Sequence, residues 1–373
     1  MTETSPTGAA PARVVLAGGG TAGHTSPLIA TAAELRRLQP DVELIAVGTA
    51  RGLETTVVPA AGLRLELIEP VPLPRRLNAD LARVPLRLGR AVAQAVRLLR
   101  STRAGVVLGF GGYVAIPVYL AARRLGIPIV VHEQNALPGL ANRVGARLTS
   151  SVFTAFPGTA LPHAVEIGLP LRRSIVELDR AAQQRVARDC FGLHPERPTV
   201  MVTGGSQGAT SINAAIRGTR AQLLAAGVQV LHVVGPKNLT PDVVVETDPR
   251  TRAVYQPLAY LTDMEQGYAA ADLLLGRCGA STVLETAAVG LPAIFVPYPH
   301  GNGEQARNAA VVVEAGGAEL LADEDCTAEW AARRLPELVL DGERLTGMSR
   351  ATAGVARSDA AVTLAQRTLE VAR

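Results

Sequence analysis

With 373 residues, 48% hydrophobic and 19% charged, the chain has the length of two ordinary globular domains and is too apolar to be disordered. Its three cysteines, Cys190, Cys278 and Cys326, lack metal-ligand or CxxC spacing, which excludes a disulfide framework and fits reduced thiols in a cytoplasmic protein. The net charge is +4, and the single lysine, Lys237, follows Gly235-Pro236, so there is no GxxxxGK[ST] phosphate loop and almost no room for lysine Schiff-base chemistry.

Residues 1–13 are polar and lack the apolar core of a signal peptide, so export is not expected. Apolar, β-branched runs at 13–17, 42–48, 105–109, 127–131 and 151–154 alternate with helical patterns. They predict strands of a parallel sheet buried on both faces. The first run leads into Gly18-Gly19-Gly20-Thr21-Ala22-Gly23-His24. Basic charge is concentrated between Arg75 and Arg103, where eight arginines, among them Arg75, Arg76, Arg83 and Arg87, face one acid, Asp80. In 79–101, Leu81, Val84, Leu88, Val92, Ala95 and Leu99 make one helical stripe that should face the core. That leaves Leu73, Leu77 and Leu86 beside the arginines as candidate surface anchors. The longest uncharged stretches, 105–122 and 286–303, are cut by glycine and proline, so neither reads as a membrane-spanning helix. His132-Glu133-Gln134-Asn135 follows a strand and should lie at the carboxyl end of the sheet, where open α/β folds bind ligands. A polar loop capping a helix from about 137 is the alternative.

The second half repeats the scheme, with strands expected at 199–203, 228–234, 252–255, 272–275 and 293–297. Gly204-Gly205-Ser206-Gln207-Gly208 echoes the first glycine loop. Two tandem Rossmann-type α/β domains follow, joined near 165–172, with a last helix over about 355–372. Glycine turns between strand and helix bring backbone N–H groups and a helix dipole to an anion. The first loop also fits the dinucleotide fingerprint, but no acid stands at the end of the second strand, Val47-Gly48-Thr49, to hold a ribose. Glu285, one turn into the helix after Gly276–Gly279, could accept hydrogen bonds from sugar hydroxyls or serve an ion pair. Gln305 and Asn308 share a helical face, and neutral amides suit sugar hydroxyls. Of the histidines, 163 and 194 are expected on surface loops and 232 in the core, while His24 and His132 are the functional candidates. No HExxH occurs, so no protein-bound zinc is expected.

The stretches GGTAGHTSPLIATAAEL (19–35), GFGGYVAIPVYLAA (109–122), HEQNALPGLAN (132–142), GLPLR (168–172), GGSQGATSIN (204–213), GASTVLETAAVGLPAIFVPYP (279–299) and EQARNA (304–309) together resemble one family. It is that of the bacterial transferases that add GlcNAc from UDP-GlcNAc to undecaprenyl-pyrophosphoryl-MurNAc-pentapeptide. The resemblance covers about 13–320, in order. It implies a GT-B fold, two tandem Rossmann-like domains facing across a cleft. Residues 1–166 would bind acceptor and membrane, and 167–345 the sugar nucleotide, with 346–373 returning to the first domain.

Carried over by position, Thr21, Gly23, Asn135, Arg172, Ser206, Gln207, Met264, Glu285, Gln305 and Asn308 are the expected UDP-GlcNAc contacts, with Asn213 beside them. Gly20, His24, Tyr113, His132 and Asn135 are expected on the acceptor side, and Arg75, Arg76, Leu77, Arg83 and Arg87 at the membrane. Further implied are a peripheral place on the cytoplasmic membrane face, contact with an anionic leaflet and other cell-wall synthesis or division proteins, and no essential cofactor or divalent metal; no nucleic acid is expected, since the arginine run holds no aromatic to stack a base. Inversion at the sugar needs a base for the MurNAc C4 hydroxyl. His24 is the candidate, and the His132–Glu133 pair its rival. The chain departs from the family pattern at Cys278, Glu304 and Thr25-Ser26. An epimerase would not need the basic segment, a diacylglycerol glycosyltransferase would not need HEQN or the Tyr113 loop, and a non-catalytic binding subunit would not need both glycine loops.

Overall fold

A computed structural model describes residues 11–50, 52–71, 83–205 and 209–372. The chain divides into two units. One comprises the chain up to Gln134 together with Pro138–Pro170 and the C-terminal stretch from Asp359; the other comprises Asn135–Leu137 and Leu171–Ser358.

The first unit holds β1 (Arg13–Gly18), α1 (Ala22–Leu38), β2 (Glu43–Gly48), α2 (Glu54–Ala60), β3 (Arg64–Leu67), α3 (Val84–Ser101), β4 (Val106–Gly111), α4 (Ala115–Leu125), β5 (Ile129–Glu133), α5 (Leu140–Gly145), β6 (Ser151–Thr154) and β7 (Ala164–Glu166). Its strands form one parallel sheet in the order β3-β2-β1-β4-β5-β6-β7. Every residue of β4 and β5 is buried, the pattern a parallel strand covered on both faces requires. Val15, Val107 and Val131 pack under α3 and α4 on one face, and Val14, Leu16 and Leu108 meet Leu28 and Leu35 of α1 on the other.

The second unit holds α6 (Arg173–Val176), α7 (Arg180–Cys190), β8 (Thr199–Thr203), α8 (Thr210–Ala225), β9 (Gln229–Val233), β10 (Glu246–Thr247), β11 (Val254–Leu258), α9 (Met264–Ala270), β12 (Leu273–Gly276), α10 (Ala280–Ala288), β13 (Ala293–Phe295), α11 (Glu304–Glu314), β14 (Ala318–Leu320), α12 (Ala328–Val339) and α13 (Gly342–Ala353). The sheet order is β10-β11-β9-β8-β12-β13-β14, parallel except for the β10–β11 pair.

Two boundaries differ from the sequence reading. The chain passes between units at Pro170/Leu171, inside the expected 165–172 junction but four residues past the 166/167 bound. The C-terminal segment 346–373 is split: α13 stays with the second unit, burying Met348 in its core, while α14 (Ala360–Val371) packs on α1 with Leu364 and Ala365 buried among Leu28, Leu35 and Phe110. The apolar stripes of the two helices fit different cores, and the interruption at 354–359 lets them part.

Candidate functional site

In the first unit, β1, β4 and β5 lie side by side, so the loops that follow them meet at one end of the sheet. The first glycine loop carries Gly20, exposed, and Thr21, whose hydroxyl lies 3.1 Å from His24 Nδ1. His24 is half-buried. Burial draws its imidazole below the ordinary histidine value, against the pull of the Glu54 carboxylate and the Gly19 backbone. Gly23 sits between them in the first turn of α1. The loop after β4 contributes Gly111, against which the His24 ring rests, and Tyr113, 49% exposed. Gly112 has φ +77°, and a Cβ there would stand 2.6 Å from the Gly19 carbonyl oxygen, so glycine at 112 lets the two loops touch.

The third loop corrects the expectation for His132 and Glu133. His132 is fully buried; its Nε2 lies 2.9 Å from the Gly168 carbonyl and its Nδ1 3.2 Å from the Gln134 amide nitrogen. An Nε2–H donating to Gly168 and an Nδ1 accepting from Gln134 describe a neutral ring, and burial pushes its pKa down to about 4. Glu133, also buried, accepts the Gly139 N–H and the Asn142 amide, each at 3.0 Å, with Tyr119 donating to the other end of Asn142 at 2.9 Å. The pair therefore builds the turn into α5, which starts at Leu140 rather than near 137. Neither side chain is presented as a base.

The second unit gathers its polar groups at the carboxyl ends of β8, β11, β12 and β13. Glu285 lies one turn into α10, buried, and accepts a hydrogen bond from the buried Tyr268 hydroxyl at 2.7 Å. Burial raises its carboxyl above the usual range, against the Tyr268 hydroxyl and Arg172, and Glu265 adds to the rise. Met264 opens α9, half-buried, beside Glu265, which pairs with Arg172 at 3.5 Å. This cluster joins α9, α10 and the start of α6 and was only partly foreseen, since Tyr268 and Glu265 belong to no motif read from the sequence.

Gln305, at the first turn of α11, accepts the Tyr298 N–H at 3.0 Å through its carbonyl, and the buried Cys278 thiol lies 4.0 Å from the same oxygen. Burial pushes that thiol up to about 12, so Cys278 is a packing residue, not a nucleophile. Asn308 is fully buried, accepting the Ala136 N–H at 2.9 Å and donating to Asn135 Oδ1 at 3.2 Å. Both ends of its amide hold the Asn135–Leu137 segment, so a direct sugar contact from Asn308 is not what this arrangement offers. Asn213 is likewise committed, to the Val234 carbonyl and to His232, whose other ring nitrogen meets Tyr255. It anchors α8 to β9, and His232 lies in the core as expected. Ser206 and Gln207, like Arg75, Arg76 and Leu77, lie outside the described residues; Gly205, with φ +63°, opens the second glycine loop.

Arg83, just before α3, is exposed, and Arg87 is half-buried on α3, whose Ala91, Ala95 and Leu99 face the core. Among the described residues no helix is long and apolar enough to cross a membrane, and no group of three or more His, Cys, Asp or Glu is placed to hold a metal ion.

The model of the glycosyltransferase family 28 N-terminal domain matches residues 14–154, and that of the family 28 C-terminal domain residues 199–364. A Nocardioides protein named UDP-N-acetylglucosamine–N-acetylmuramyl-(pentapeptide) pyrophosphoryl-undecaprenol N-acetylglucosamine transferase is 54% identical over 360 residues, 96% of this chain and 98% of that one. A protein of the same name from Cutibacterium acnes is 52% identical over 367 residues, 96% of this chain and 97% of its own. Among solved structures, Acinetobacter baumannii MurG matches with a TM-score of 0.75 at 26% identity, covering 96% of this chain and 100% of that one. The glycosyltransferase SnogD from Streptomyces nogalater, at 17% identity and a TM-score of 0.64 over 97% and 100% of the chains, shares the fold.

Proposed function

Because the chain belongs to the family of UDP-N-acetylglucosamine–N-acetylmuramyl-(pentapeptide) pyrophosphoryl-undecaprenol N-acetylglucosamine transferases, within glycosyltransferase family 28, we propose that it moves GlcNAc from UDP-GlcNAc to the C4 hydroxyl of MurNAc in undecaprenyl-pyrophosphoryl-MurNAc-pentapeptide. The observation that carries this reading is the match of both units, nearly end to end, to chains named for that transfer.

The second unit takes the nucleotide. Glu285, held by Tyr268, accepts from the ribose hydroxyls, and Arg172 and the N–H groups of the second glycine loop receive the diphosphate. Gln305 supports the sugar from the loop after β13. These donors neutralise the leaving diphosphate without calling on a divalent ion. The first unit takes the acceptor. The C4 oxygen attacks the anomeric carbon, the bond to the β-phosphate oxygen breaks with inversion, and the hydroxyl proton passes to His24. Since burial lowers the His24 pKa, the ring is neutral and able to accept at neutral pH, and turnover falls as pH drops through that lowered value.

The acceptor's polyprenyl chain brings the protein to the cytoplasmic membrane face. Arg90, Arg97 and Leu86 on α3, all exposed, with Arg83 just before it, suit an anionic leaflet. On the same unit, Arg123 and Arg147 line an open groove of about 370 Å³ that suits a phosphate headgroup.

The test is transfer of labelled GlcNAc from its UDP form to a short-chain acceptor analogue by the purified chain in EDTA. Transfer is expected. UDP-GlcNAc binding without transfer would point to another acceptor or a partner-dependent subunit. His24→Ala should lose kcat with little change in acceptor KM; normal turnover with weaker acceptor binding would remove His24 as the base.

A further inference from the structure

Beneath the first glycine loop lies a carboxylate that the transfer, as described, does not use. Glu54 begins α2, yet its side chain is 0% exposed and points at the end of β1. Oε2 accepts the Gly20 N–H at 2.8 Å, and Oε1 accepts both the N–H and the hydroxyl of Thr49 at 3.0 Å. Three glycines make the space. A Cβ on Gly19, Gly48 or Gly52 would stand 2.5, 2.5 and 1.7 Å from Glu54 side-chain atoms. Burial alone would push this carboxyl up, but the donors on Gly20 and Thr49 hold it below the usual carboxylate range, so it stays ionised.

A buried charge is costly, and a neutral acceptor could have satisfied a single N–H. What the charge adds lies next in the loop. Gly20 leads directly to Thr21, whose hydroxyl contacts His24 Nδ1, and the Glu54 charge acts on that imidazole. The acid that a dinucleotide-binding domain would place on a ribose is here, six positions past the end of β2, turned inward onto the loop itself.

We propose that Glu54 is a positioning residue of the transfer reaction: it is the internal anion of the first glycine loop, fixing Gly20 and Thr21 so that His24 keeps one orientation, and stabilising the imidazolium formed when His24 takes the acceptor's proton. The proposal rests on His24 as the base. The proton goes from the C4 hydroxyl to His24 and no further; Glu54 remains a carboxylate throughout. It follows that the Gly20 N–H, already bonded, is not a donor to a substrate phosphate.

Steady-state kinetics of full-length Glu54→Gln, His24→Ala and the double variant test this. Glutamine keeps the size but must turn its NH2 toward one of the donors now served by the carboxylate. E54Q is expected to lose kcat about tenfold or more, with the UDP-GlcNAc KM unchanged, and to add nothing to the loss in H24A, because residues acting as one unit are not additive. A lowered melting temperature with intact kcat, or losses that multiply in the double variant, would overturn the proposal. A loss in E54Q beside normal turnover in H24A would place the failure in the His24 assignment and end the route through that ring. Should E54Q fail to fold, Thr49→Val removes only the hydroxyl donor and should show a smaller kcat loss of the same pattern; unchanged kcat there overturns the proposal.

Discussion

The Tyr268 hydroxyl donates a 2.7 Å hydrogen bond to Glu285 Oε2, and both residues are buried. The bond holds the carboxylate in one rotamer and leaves its second oxygen to serve a ligand. Tyr268→Phe should therefore raise the UDP-GlcNAc KM about tenfold, equivalent to about 1.4 kcal/mol, with kcat nearly unchanged, as for an interaction made equally in ground and transition states. A fall in kcat at constant KM would contradict a purely binding role.

Glu285 is itself a liability to the fold, because burial sets its folded pKa above its unfolded one. The destabilisation is absent below the ordinary carboxyl range and grows as pH rises through the folded pKa. Glu285→Gln should melt higher than the parent at neutral pH, with the difference vanishing at low pH, and should bind UDP more weakly. Thermal melts across pH with UDP titrations check both; a Gln variant less stable at neutral pH would contradict it.

His132 and His232 are neutral in the fold, with pKa values lowered to about 4 and about 3 by burial. Both values lie below the unfolded one, so the unfolded chain takes up protons that the fold refuses. Stability should be intact above the ordinary histidine pKa of about 6.5 and decline as pH falls below it. His132→Leu should cost about 1–3 kcal/mol by orphaning the Gly168 carbonyl, while the Gln134 amide keeps its bond to the backbone carbonyl of residue 132. The folded variant should keep its turnover at low temperature, which separates it from H24A.

Gly112→Ala forces φ +77° on an alanine and a Cβ onto the Gly19 carbonyl. Backbone strain of this kind costs about 1–3 kcal/mol. Because the displaced partner is the first glycine loop, kcat should fall along with the melting temperature, whereas donor binding, made in the other unit, should not change.

On α3, replacing Arg90 and Arg97, both exposed, by glutamine should weaken sedimentation with anionic vesicles by about 1 kcal/mol per charge. Turnover of a short-chain soluble acceptor should be unaffected. Equal binding of parent and variant at low salt would leave this face without a membrane role.

Much of this protein is written in local order. The long apolar strands, the two glycine loops, HEQN and the turn into α10 were legible because a central parallel strand must be continuously apolar and a glycine turn needs its residues at fixed spacing. The strands β3, β7, β10 and β14 were not, since two to four residues with polar or exposed members carry no period to read. The sequence also could not rank its candidates. His24, after the first glycine loop, and His132, at the end of β5, both fall near the carboxyl end of the sheet, and only burial separates a half-exposed ring from one with both nitrogens bonded inside.

Glu54 and Tyr268 show the same limit from the other side. The Gly20–Glu54 bond spans 34 positions and the Tyr268–Glu285 bond 17, and neither partner's spacing is periodic. A helix or strand is dictated by neighbours within a few residues, so composition and period determine it. A carboxylate's partner is set by where the sheet brings distant loops together, and only the tertiary structure decides that.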